Sequence, residues 1–500
     1  MFKVNKNAIM RYAVPFYFEE GDNEYQLICE KLINDKEDWF VATTEKGERD
    51  TYEYLYEALG CDYTDNQIGS EWQYNLSKNS MDFIYYPNPK EQELYYKFKI
   101  RDMGMYLFKT NIGILWYEIS LPYLPKQLKQ TNNRDLLDDS FLMVFQNRFK
   151  ELNYRHNKYF KVEPKTGEKE TLIMGDIIKN LLNEISDNIH FIGGQRRSNG
   201  EMYPDKALIF NYLLLESDKF VDKEFRKRAF SFANGYNENY KMAEDLNEAF
   251  SSTFDKTCWY ASKSGCGYFT YKAQQEKNEF FENGLASRIR GDYFFMYILA
   301  LYQSYSLLNY LREIMQNYPA ESEKYFEVEH CEKLEKLTAR INAFLIKGIY
   351  SSVSNVHHHN KFFMFLQKQL NIQEDIESIT MGINAMVKMQ SIYKEKQAAQ
   401  VKEQEEKREN KHNNQVNMIL TIISTLSVFS ALVDMNELMN RVRSACGTQG
   451  FLKEVWSLLA SGDIIVYFQL IFGALLVGLS LACIYVLIKN FIGNKKKNDK

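Results

Sequence analysis

Polar and apolar positions are ordered differently in successive parts of this 500-residue chain. Over roughly the first 130 residues, aromatic and β-branched side chains alternate in part with polar ones. Residues 11–18 and 94–121 carry this pattern most clearly and predict strands in a mixed α/β region spanning 1–130. Within it, YLFKTNIGILWYEISL (106–121) predicts a hairpin or adjacent strands. Gly104, Asn111 and Gly113 are the turn points expected within 94–121, and Pro122 and Pro125 close the hairpin. The 131–290 region predicts mainly helix, over 135–152, 171–186, 206–217 and 239–250. Residues 291–371 predict a helical bundle region, its strongest segment being GDYFFMYILALYQSYSLLNYLREIM (291–315). The apolar centre of that segment is short and rich in tyrosine, which favours a buried helix in a soluble domain over a membrane span.

From Ile372 the order becomes heptad-like. Ile372, Ile376, Ile379, Ile383, Met386, Gln390, Tyr393 and Gln397 recur at alternating steps of four and three. No proline follows Pro319, so the pattern predicts one stalk helix over 372–416 that runs on through 433, roughly 93 Å in all. Gln390, Gln397, Gln400 and Gln404 replace the apolar residues lower down. Either they face a wet channel in a symmetric bundle, or 394–415 is a solvated charged helix supported by pairs such as Glu403 with Lys407.

Two uncharged stretches follow. Residues 464–488, IIVYFQLIFGALLVGLSLACIYVLI, are long enough to cross a bilayer, roughly 38 Å as a helix. Residues 417–433, NMILTIISTLSVFSALV, are shorter, but Asn417, Thr421, Ser424 and Val428 share one helical face. A polar stripe on an otherwise apolar span suits a bundle whose stripe lines water; the plainer alternative is helix–helix hydrogen bonding. The segment 434–463 carries less positive charge than Lys402, Lys407, Arg408 and Lys411 upstream or the lysine-rich tail 489–500. This predicts an external loop over 434–463 and both termini in the cytoplasm. The first residues lack a signal-peptide apolar region, so 1–416 are expected to be cytosolic.

Composition sharpens this picture by exclusion. Sixty-two Lys and Arg against 66 Asp and Glu give a net charge of −4, which argues against direct DNA or RNA binding. The seven cysteines include no CxxC pair, so neither a disulfide framework nor a thiolate zinc site is expected. A mean hydropathy of −0.44 conceals the two C-terminal apolar stretches.

A large cytosolic domain, a long helix entering a first span, a short external loop, a second span and a basic tail together resemble the CorA-type magnesium and divalent-cation channels. Residues 420–439, LTIISTLSVFSALVDMNELM, are similar to the end of that family's first span and its Gly-Met-Asn signature, with Asp434, Met435 and Asn436 here. The resemblance implies an α/β domain, stalk and two transmembrane helices assembled as a CorA-like funnel, a homopentamer in the cell inner membrane. It implies an outer cation-receiving ring at Asn436 and pore rings at Asn417, Thr421 and Ser424. The cargo or regulatory ion would be Mg²⁺ or another divalent cation. Asp434 replaces the family's glycine and would gather cations at the mouth, which puts magnesium selectivity in question.

No phosphate-binding loop, dinucleotide fingerprint or HExxH occurs, and no enzyme activity is expected. His357, His358 and His359 are consecutive and diverge on a helix, so the three cannot share one ion there. Cys266, between glycines, has no identifiable catalytic partner and is expected to be buried. Two basic segments could hold an anion: FIGGQRRSNG (191–200) through Arg196 and Arg197, and GLASRIRGDY (284–293) through Arg288 and Arg290 just before a helix. Solvated loop charge is the alternative. The enlarged N-terminal region and altered signature are also similar to divergent CorA-like proteins encoded with type III CRISPR systems. That likeness implies gating by a small nucleotide messenger in antiviral defence. A membrane-anchored scaffold is the remaining reading.

Overall fold

In the computed structural model, residues 2–445 are described apart from 19–23, 36, 43–49, 60–66, 79–80, 92, 126–137, 153–157, 163–173, 197–201, 238, 244–245 and 318–327. Beyond 445, described positions are Ile471, Gly473–Leu475, Gly478, Leu481, Ala482 and Tyr485, all helical. The rest of the 464–488 span, most of the 434–463 loop and the 489–500 tail lie outside the described residues. The chain divides into two units, Met1–Met389 and Gln390–Lys500.

One sheet organises the first unit. Phe250–Ser251 pairs with Thr257–Ser262, followed across the sheet by Gly265–Lys272, Leu208–Glu216, Ile9–Phe18, Ile112–Ile119, Tyr96–Phe108, Gly69–Tyr74 and Trp39–Val41. Along this path only Leu208–Glu216 and Gly265–Lys272 run parallel; the other neighbours are antiparallel. Side chains of Ile9–Phe18 alternate between two cores, Ile9 and Ala13 toward one and Met10, Tyr12, Val14, Phe16 and Phe18 toward the other. Both faces are covered, so the central strands are apolar almost throughout.

Two sequence expectations change. The 131–290 region is not mainly helical: LIFNYLLLE (Leu208–Glu216) is a central strand, and Thr257–Ser262 and Gly265–Lys272 extend the same sheet. A short unbroken apolar run fits a doubly buried strand as well as a buried helix, and here the sheet takes it. Because Leu208–Glu216 pairs with Ile9–Phe18, residues on either side of 130 belong to one sheet. The hairpin Tyr96–Phe108 with Ile112–Ile119 forms, turning at Asn111 with φ of 63°. Gly104 and Gly113, however, lie inside its strands. At Gly113 a Cβ would meet the Phe16 ring at 2.1 Å, so the glycine admits a neighbour's aromatic side chain.

Helices cover both faces. Asp139–Phe149, Met174–Ile185 and Glu24–Asn34 pack on one core. Phe294–Asn317, Val328–Lys347 and His357–Gln369 build the other. Phe294 to Tyr302 is buried on every side, the position of a central core helix.

The last helix, Ile372–Ala445, is continuous over 74 residues. Its opening residues Ile372, Ile379, Ile383 and Met386 are buried in the first unit's own core, and a Cβ at Gly382 would come within 3.2 Å of Ile314 Cδ1, tighter than ordinary contact. The apolar part of the seam therefore packs within the chain. Below it, Gln397, Gln400 and Gln404 are exposed, and Glu403 pairs with Lys407 at 2.7 Å.

Candidate membrane helix and metal-coordinating cluster

The long helix contains a segment long and apolar enough to cross a membrane, with none of it buried within the chain. Met418, Ile419, Leu420, Ile422, Ile423, Leu426, Phe429 and Val433 are all exposed. A run of this kind needs lipid or protein around it. Asn417 and Ser424 are exposed and Thr421 is half-buried. The Thr421 hydroxyl donates to the Asn417 carbonyl at 2.7 Å, and the Thr425 hydroxyl donates to the Thr421 carbonyl at 2.7 Å. These back-bonds satisfy the hydroxyl protons inside the helix while leaving lone pairs toward the surroundings.

Helix continues past Val433 through Asp434, Met435 and Asn436 to Ala445, and Arg441 pairs with Glu437 at 2.8 Å. This continuation decides where Asp434, Met435 and Asn436 sit. At about 100° per residue, Met435 falls in line with Asn417, Thr421, Ser424 and Val428, while Asp434 and Asn436 lie about 100° to either side. The acidic residue thus flanks the polar stripe.

Of the four arginines singled out as anion ligands, Arg196 lies in the short strand Gln195–Arg196 and Arg197 lies outside the described residues. The other two are engaged with carboxylates. Residues 280–293 are already helical, with π-helical turns at Phe280–Gly284 and Ile289–Tyr293 around a short α-helical turn, Leu285–Arg288. Such widened turns recur at functional positions and re-aim the side chains they carry. Arg290 Nε and Nη2 both reach the buried Glu118 carboxylate, at 2.9–3.1 Å. Arg11 donates to Glu118 through Nε at 2.9 Å and to the Arg290 carbonyl through Nη1 at 2.8 Å. The Arg11 guanidinium also lies 4.6 Å from the Trp116 ring centroid and 4.5 Å from that of Phe294. Burial works to raise the Glu118 pKa, but Arg11 and Arg290 outweigh it and hold the carboxyl below its usual range. Arg288 Nη1 pairs with Asp50 Oδ2 at 3.2 Å, where both side chains are about half exposed.

The same π-helical turn presents Asp292 to a second group of residues. Asp292 Oδ1 accepts the backbone N–H of Asp50 at 2.8 Å, and Asp292 is buried. His359, near the start of His357–Gln369, is fully buried. A ring nitrogen of His359 and a carboxylate oxygen from each of Asp50 and Asp292 lie within 4.8 Å of one another, a candidate metal-coordinating cluster. Ser354 braces it: its hydroxyl donates to the Asp50 carbonyl, accepts the Val356 N–H at 3.1 Å and lies 3.4 Å from His359 Nδ1. Tyr293 sets its ring edge-on to His359 at 4.9 Å. Burial, with the neighbouring His358, pushes His359 down to about 4, so its imidazole is neutral at physiological pH.

The His358 ring stands edge-on to that of His359 at 4.6 Å, and of the consecutive histidines it is His359 that joins two aspartates more than 60 residues away in sequence. Asp50 and Asp292 carry no local motif, and only the folded chain brings them to the histidine. Cys266 is fully buried, and burial raises its thiol far above the reactive range. No protein-family model, curated protein or solved structure matches this chain.

Proposed function

We propose that this chain is one subunit of an oligomeric, cation-conducting membrane protein whose large α/β domain governs the membrane part. One observation carries the reading. A single helix begins among the buried residues of the α/β core at Ile372, Ile379 and Met386 and contains, further on, an exposed apolar segment with a polar stripe. A tether has no need of hydroxyl and amide groups repeated along one face of a span, whereas a water-lined opening does. One such helix cannot enclose a pathway, so several copies around an axis are required.

The CorA resemblance supports the same arrangement and suggests five copies, a second span over 464–488, an external connection between the spans and cytoplasmic termini. In this proposal Asn417, Thr421 and Ser424 line the opening and Met435 continues their face. Asp434 and Asn436 stand beside the mouth and draw in cations, Mg²⁺ or another divalent ion. Control by a nucleotide messenger draws less support: Arg288 and Arg290 are held by Asp50 and Glu118, with which any phosphate would have to compete. The experiment is cation flux into liposomes carrying the purified full chain. Flux that falls when Thr421 and Ser424 are both replaced by leucine supports conduction; no flux in the unaltered chain under any cytosolic addition favours an anchored scaffold.

A further inference from the structure

We propose that Asp50, Asp292 and His359 bind a transition-metal dication of the Zn²⁺ and Co²⁺ class within the α/β domain, separate from any ion passed through the membrane. Three observations on the molecule point there. The ligand atoms of the three side chains already lie within 4.8 Å of one another. Metal–ligand bonds of about 2.0–2.2 Å place such atoms somewhat closer together, so side-chain adjustment suffices to close the site.

The second observation is the state of the imidazole. His359 is fully buried, yet its Nε2 has no hydrogen-bond partner. A buried polar atom left without a partner needs an explanation, and beside two carboxylates a bound cation supplies one. Ser354 sets the tautomer. Its hydroxyl proton goes to the Asp50 carbonyl, so the oxygen can only accept from Nδ1, which places the proton on Nδ1 and the lone pair on Nε2. A serine behind the other ring nitrogen is the kind of outer support that ligating histidines receive.

The third is the make-up of the donor set. Asp292 Oδ1 accepts the Asp50 N–H, and Asp50 Oδ2 accepts from Arg288 Nη1. Two carboxylates and one neutral imidazole match a borderline dication with water completing its coordination. Mg²⁺ holds its waters and favours all-oxygen surroundings, so the histidine selects against it. Bound metal would join Asp50, the π-helical turn Ile289–Tyr293 and the helix His357–Gln369.

The test uses full-length protein in detergent, stripped with a chelator and titrated with Co²⁺ by visible absorption and with Zn²⁺ by calorimetry. The expected result is one site per chain, with affinity at least about tenfold weaker in Asp50→Asn and in His359→Gln. His357→Ala should leave it unchanged. Asp50 is half exposed, so Asp50→Asn keeps the test valid if the buried histidine variant does not fold. Absence of Co²⁺ and Zn²⁺ binding, equal binding by folded Asp50→Asn, or displacement of Zn²⁺ by equimolar Mg²⁺ would each overturn the proposal. The readout is metal binding itself, so it stands or falls independently of ion conduction.

Discussion

Arg290 grips Glu118 with two guanidinium nitrogens, tying a π-helical turn to the centre of the sheet. Arg11 completes the arrangement from the neighbouring strand and binds the same carboxylate. Glu118→Gln leaves two cationic groups facing a neutral amide in a buried place. Loss of one member of such a group costs about 3–5 kcal/mol, and chemical denaturation of the variant should register it. Acid should have a related effect. Because the Glu118 pKa is lowered on folding, its contribution is complete above the ordinary carboxylate range and is lost as pH falls through the lowered value. Glu118→Gln should flatten that part of the acid-stability curve.

Glu313 behaves in the opposite sense. It is buried in Phe294–Asn317, accepts the Asn309 side-chain N–H at 2.9 Å and lies 3.4 Å from Arg340. Burial pushes its carboxyl up to about 7, against the pull of Arg312 and Asn309. The folded state therefore binds the proton more tightly than the unfolded chain, and stability falls as pH rises from about 4.5 to about 7. Glu313→Gln should be more stable than the parent at pH 8, by on the order of 2 kcal/mol, and nearly equal to it at pH 4. Thermal unfolding at the two pH values checks the sign.

The long helix should divide into parts that respond differently to truncation. Ile379 is fully buried in the α/β domain's core, and Ile379→Ala should destabilise that domain by about 2–5 kcal/mol. Gln404 is exposed, and Gln404→Ala should change stability by less than about 0.5 kcal/mol. Hydrogen exchange on the full chain separates the two.

The same division explains what the sequence disclosed. Strands with a polar neighbour or a marked turn, such as Tyr96–Phe108 and Ile112–Ile119, could be read locally, as could the apolar stretch around Thr421. Leu208–Glu216 could not, since a strand covered on both faces loses the alternation that announces it. The heptad-like order from Ile372 was visible, but whether its partner is another copy or the chain's own helices depends on packing that spacing does not encode. Asp50 and Asp292 were hidden for a different reason. Only folding gives them a shared neighbour in His359, and Arg290 looked available because its partner, Glu118, lies on a distant strand.

Within the proposed opening, position on the helix sets the size of each effect. Leucine at both Thr421 and Ser424 should lower cation flux by about tenfold or more at matched protein density, since it strips the polar lining. Asp434 flanks the stripe and acts on local cation concentration alone. Asp434→Asn should therefore reduce flux by less than the double leucine variant, with assembly unchanged on size-exclusion chromatography, and its effect should shrink as salt rises.

Water accessibility along the span is the most direct test. Cysteines introduced one at a time at Thr421, Ser424, Ile422 and Ile423, in a background with Cys61, Cys331, Cys446 and Cys483 as serine and the buried Cys29, Cys258 and Cys266 kept, would be exposed to a charged thiol reagent in intact membranes. Labelling at Thr421 and Ser424, with protection at Ile422 and Ile423, is the predicted result. Protection at all four positions with or without cytosolic extract, in protein that is otherwise active, would contradict a water-lined opening.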